Sequence, residues 1–67
     1  MNRIRLIKKD QIGLLVNVMN ILENADIVVN SAEVNLNGTH AIITLTVSDP
    51  EKGKKMLKSA GYDIEIL

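Results

Sequence analysis

The stretch Ile7–Leu22, IKKDQIGLLVNVMNIL, hands a strand over to a helix within a few residues. Upstream, NRIRLIK alternates. Ile4 and Leu6 point one way and Arg3 and Arg5 the other, the period-2 pattern of a half-buried strand. From Leu14 the apolar positions are 14, 15, 18, 21, 22 and 25, which is the stripe of an amphipathic helix of about three turns. Between them stands Asp10-Gln11-Ile12-Gly13. The residues alone allow two uses for it. It is a tight turn in which Asp10 caps the helix or adds a favourable charge at its N-terminus. It can also be a small cradle. Glycine lets a ligand approach the backbone without a Cβ in the way, and the unpaired N–H groups of a first helical turn suit a carboxylate. Asp10 would suit an ammonium group, so the pair of charges matches an α-amino acid.

Working outward, the chain ADIVVNSAEVNLNGTHAIITLTVSD is rich in β-formers around an Asn37-Gly38 hairpin signal, where both residues tolerate positive φ. The second arm alternates cleanly, with Ala41, Ile43, Leu45 and Val47 on one face. The first arm changes parity between Ile27/Val29 and Ala32/Val34/Leu36, which predicts a β-bulge near Asn30-Ser31. SDPEKGKKMLKSAG reads as a second helix. Asp49 or Ser48 is its cap, Pro50 its first residue and Gly61 a left-handed terminator, with Gly53, Met56, Leu57 and Ala60 facing inward. YDIEIL is a last strand with Ile64 and Ile66 inward, and Tyr62 is expected to pack at the helix-to-strand corner.

The order β-α-β-β-α-β with right-handed crossovers predicts an α+β, ferredoxin-like sandwich over 1–67. Four antiparallel strands lie in the order 4-1-3-2, with both helices on one face. Arg3 and Arg5 should then face Glu65 and Asp63 across the first and last strands. The second strand becomes an edge without a lysine or proline guard, open to pairing with another chain.

Composition excludes several classes. Sixty-seven residues support only a modest core, and small domains need disulfides, metals or self-association. The chain has no cysteine and one histidine, His40, so neither a disulfide nor a metal cage is available. A homodimer, or a higher homo-oligomer, is the expected remedy. Eight basic and eight acidic residues cancel, and one tyrosine is the whole aromatic content, which argues against nucleic acid. Lys8, Lys9 and the lysines at 52, 54, 55 and 58 read as solvated, as does His40, and Met19 and Met56 as packing. No apolar run approaches a membrane span, and Met1 is followed by a charged strand rather than a signal sequence, so a cytoplasmic protein is expected. The loop KKDQIG lacks the arginine, serine or cysteine that a small enzyme on this fold would need there, so catalysis is not expected.

Across nearly its whole length the chain resembles the ACT domain family. The resemblance rests on a strand leading into Asp10-x-x-Gly13, then Leu14 and Leu15 opening a helix, and a strand with Ile27 and Val29. Further on come a hairpin strand ending in Val47-x-Asp49, a short helix, and Ala60-Gly61-Tyr62. It implies a non-catalytic regulatory domain without a cofactor. Such domains bind small effectors, typically amino acids, at a subunit interface and pass the signal to a regulated enzyme or transcription regulator. The implied contacts are the loop Asp10, Gln11, Ile12, Gly13 and Leu14, together with the neighbouring copy's second strand, here Val28 and Asn30. Two positions depart from the family pattern: Ile12 stands where proline is frequent and Val28 where asparagine is frequent. Asn30 can replace that asparagine if the bulge reorients it. The alternative is a ligand-free interaction or regulatory-subunit module that dimerises through the second strand.

Overall fold

The computed structural model describes residues 2–67. The elements are β1 (Arg3–Lys9), α1 (Leu14–Asn24), β2 (Val29–Asn37), β3 (His40–Val47), α2 (Pro50–Ser59) and β4 (Ile64–Ile66). One four-stranded antiparallel sheet has the order β2-β3-β1-β4, and both helices contribute to a single core on one side of it. This is the expected ferredoxin-like α+β arrangement.

Alternation builds the floor of the core. Ile4 and Leu6 of β1 and Ala41, Ile43, Leu45 and Val47 of β3 are all buried. Leu14, Val18 and Leu22 of α1 and Leu57 of α2 close it from above. Gly53 lets the helices meet closely, since a Cβ there would come 3.4 Å from Leu22 Cδ2. α2 begins as read: Asp49 caps it by accepting from the Lys52 N–H at 3.1 Å, and Pro50 opens the first turn. Its inward stripe is narrower than expected. Gly53 and Leu57 are buried, but Met56 and Ala60 are exposed, because α2 sits over β1 and β4 at the margin of the sheet.

The bulge falls at Asn30. Val29 pairs with Val47 and Ser31 with Thr46, so Asn30 has no partner across the ladder. One extra residue changes the phase of everything after it. Ala32, Val34 and Leu36 thereby stand opposite Leu45, Ile43 and Ala41, on the helix side of the sheet. Ser31 Oγ donates to Thr46 Oγ1 at 2.9 Å beside the bulge. The β2–β3 hairpin differs from expectation in one detail. Asn37 still pairs with His40, and only Gly38 takes a positive φ, of 63°. The two-residue loop is therefore Gly38-Thr39, with glycine at the first central position as a type II′ turn requires.

At the other edge Arg5 lies across from Glu65, with Nη1 3.8 Å from Oε1. The expected pairs, Arg3 with Glu65 and Arg5 with Asp63, are therefore both displaced by two residues. The Arg3 carbonyl accepts from the Leu67 N–H instead. Ile64 and Ile66 are half-buried rather than fully inward, since β4 is a short edge strand. Lys8 is not a free strand end. Its ammonium lies 5.2 Å from the ring centroid of Tyr62, which is buried at the corner after α2.

Replacing Leu22 by alanine is expected to cost about 2–5 kcal/mol, comparable with the ~3–5 kcal/mol a core of this size supplies. Circular dichroism should find L22A largely unfolded at 25 °C. Removing the α2 cap with Asp49→Ala should lower urea-derived stability by only about 1 kcal/mol.

Candidate functional site

The loop between β1 and α1 is held by backbone rather than by side chains. The Asp10 N–H donates to the Thr39 carbonyl at 2.8 Å, which straps the loop to the β2–β3 turn. The Leu14 N–H donates to the Gln11 carbonyl at 3.2 Å. Gly13 is the N-cap, at φ 82°, ψ 3°, and no side chain caps the helix. Asp10 is thus not the cap expected from its position. It ends the strand three residues before the helix, and its carboxylate remains exposed. Gly13 is required by its φ, because a left-handed backbone strains a residue with a Cβ. It is not required by crowding, since a Cβ there would meet nothing within 4 Å. The space over Gly13 is open.

That space belongs to a groove of about 230 Å³. Asp10, Gln11 and Gly13 form its polar rim, and Leu14 its base at the start of α1. Leu15 and Val16 line it from the helix, and Val34, Ala41 and Ile43 from the sheet. Of the first-turn N–H groups of α1, that of Leu14 is taken by the Gln11 carbonyl, which leaves those of Leu15 and Val16 without a carbonyl four residues back inside the helix. The groove therefore combines one carboxylate, a few backbone donors and an apolar wall.

Four of the seven residues singled out in the sequence meet here: Asp10, Gln11, Gly13 and Leu14. Ile12 does not line the groove, and its side chain is fully exposed. Val28 and Asn30 lie at the opposite end of β2. Val28 donates its N–H to Ser48 Oγ at 3.0 Å and borders a separate groove beside Met19 and Glu23. Within one chain they cannot touch a ligand held at the loop. Val16 and Val34 were not singled out. Val16 had a signal, since it is apolar yet falls off the inward stripe of α1. Val34 had none until the bulge settled its face.

The helix side of β2 is apolar and uncovered. Val34 and Leu36 are 44% and 66% exposed, although their β3 partners Ile43 and Ala41 are buried. Two other surfaces carry charge. α2 presents Lys52, Lys54, Lys55 and Lys58 to solvent, and the helix-free face holds Arg5, whose Nε is buried without a hydrogen-bond partner. Among the described residues no cluster of histidine, cysteine and carboxylate side chains could hold a metal ion, and no helix is long and apolar enough to cross a membrane.

No protein-family model matches the chain, and no curated protein matches it in sequence. Solved structures do match in shape. A protein from Bacteroides thetaiotaomicron superposes with a TM-score of 0.87 at 25% identity, covering 97% of this chain and 45% of that one. The ligand-free regulatory subunit of aspartate kinase from Thermus thermophilus gives 0.84 at 19% identity, covering 97% and 48%. An unknown protein from Galdieria sulphuraria gives 0.81 at 20%, covering 94% and 41%. The chain thus spans less than half the length of these proteins. They agree with the ferredoxin-like fold; at these identities the likeness defines the class of architecture.

Gly13→Ala is expected to lower stability by about 1–2 kcal/mol despite the open space, the cost of a left-handed alanine. Asp26 provides the opposite case, at φ 60° just after α1. Asp26→Gly should leave stability unchanged or raise it by up to about 1 kcal/mol. Parallel urea titrations of the two variants check the contrast.

Proposed function

We propose that this chain is a non-catalytic regulatory domain that binds a small effector, an amino acid, at an interface between two copies. The observation that carries this is the groove beside Asp10–Val16, with a polar rim and a mostly apolar wall, opening next to an unguarded edge strand. An α-amino acid fits its charges, with the carboxylate on the first-turn N–H groups of α1 and the ammonium on Asp10. The shape likeness to the aspartate kinase regulatory subunit, and the sequence resemblance to ACT domains, support a regulatory role and a regulated enzyme as partner.

Pairing supplies what one chain lacks. Two β2 strands joined antiparallel about a two-fold axis place the start of one strand beside the end of the other. The end of β2 is strapped to the loop through Thr39 and Asp10. The partner subunit's Val28 and Asn30 then arrive beside the Asp10–Leu14 loop. The same pairing covers Val34 and Leu36 and extends the sheet to eight strands. A second reading, an interaction module without a ligand, is favoured by Val28 itself. It is exposed and apolar, and so offers an effector no polar contact.

Sedimentation of the purified chain is expected to give a dimer, and Leu36→Lys a folded monomer. A wild-type monomer at micromolar concentration would contradict the pairing. A thermal-shift screen against the twenty amino acids, followed by calorimetry, should find a stabiliser with a definite stoichiometry per dimer. Asp10→Ala should weaken it at least tenfold while leaving the ligand-free melting temperature in place, since the Asp10 carboxylate is exposed. A flat screen at millimolar concentrations would remove the effector and leave the interaction module.

A further inference from the structure

Resting on that function, we infer that the effector is an amino acid with an aliphatic side chain, and that the groove wall selects it. The backbone of the amino acid matches the charge and the backbone donors of the groove: Asp10 takes the ammonium and the α1 N–H groups take the carboxylate, while Gln11 adds one neutral amide at the rim. What remains for the side chain is Leu15 and Val16 on the helix and Val34, Ala41 and Ile43 on the sheet, all apolar. The partner subunit's Val28 adds another apolar surface. It stands where the ACT resemblance would often place an asparagine able to hydrogen-bond a ligand.

Each charged or hydroxyl-bearing side chain meets an obstacle. A carboxylate side chain would lie among apolar groups and close to the like charge of Asp10. An ammonium or guanidinium side chain would compete with the α-ammonium for Asp10, the only charged residue lining the groove. A hydroxyl would lose water, and beyond the rim residues Asp10 and Gln11 no side chain of the groove can bond to it. An aliphatic side chain loses nothing on leaving water and fills the wall. A hydrophobic pocket separates such ligands by modest ratios, so preference rather than absolute exclusion is expected.

The test is calorimetry on the wild-type dimer with leucine, isoleucine, valine, threonine, serine, aspartate and lysine. At least one of leucine, isoleucine and valine should bind, with threonine and serine weaker by at least about tenfold and aspartate and lysine weaker still. Val34→Asn, checked as dimeric and folded, should narrow the gap between valine and threonine by weakening valine. Tighter binding of a hydroxyl-bearing, charged or aromatic amino acid would overturn the aliphatic assignment while leaving an amino-acid effector in place. An unchanged valine-to-threonine ratio in Val34→Asn would overturn the role of the wall. Absence of binding by all of them, and by the rest of the twenty, would instead overturn the effector function, and this assignment with it.

Discussion

A single layer of aliphatic side chains between the central strands and the helices governs the rest of the molecule. Ile4 and Leu6 on β1 and Ile43 and Leu45 on β3 share one buried cluster with Leu14, Val18 and Leu22 of α1 and Leu57 of α2. Two helices of 11 and 10 residues can roof about two strands. α2 lies over β1 and β4, and α1 leaves most of β2 uncovered. β4, at the other edge, is short. β2 is nine residues long, and beyond Val29 every one of its residues is exposed. The size of the core thus decides which strand is left open, and the open strand is the one next to the β1–α1 loop.

Much of this was legible in the amino-acid sequence because the two hydrophobic periods are clean where the core is densest. The alternation of Arg3–Lys9 and His40–Val47 and the helical stripe from Leu14 to Ala25 are consequences of burial on one side only. The parity break between Val29 and Ala32 revealed the bulge, since no unbroken strand could place both sets of apolar residues on the helix side. Less legible were the margins. Met56 and Ala60 satisfy a helical stripe but lie beyond the area that α2 covers, and a stripe does not record where a sheet stops. The register of β1 on β4 differs by two residues from the one that pairs Arg3 with Glu65 and Arg5 with Asp63, a step that two short alternating segments leave undetermined.

The candidate site was legible in kind and incomplete in place. Asp10 and Gly13 were conspicuous because a charged residue and a glycine interrupt two regular patterns. Their functions separated on folding: Gly13 provides the left-handed backbone that starts α1, and Asp10, free of capping, keeps its carboxylate available. The apolar wall was hidden because each of its members has an ordinary explanation. Val16 looks like a stray surface valine, and Val34 like any strand residue, until the fold sets them on either side of one groove.

The bond from the Asp10 N–H to the Thr39 carbonyl has a mechanical meaning. It joins the loop directly to the turn that follows the edge strand. A ligand seated on the loop and a strand added to the edge would then be two equilibria acting on the same piece of backbone. Thermodynamic reciprocity requires that whatever factor ligand binding adds to association, association adds to ligand binding. On the proposed function, assembly would then be the output of ligand binding.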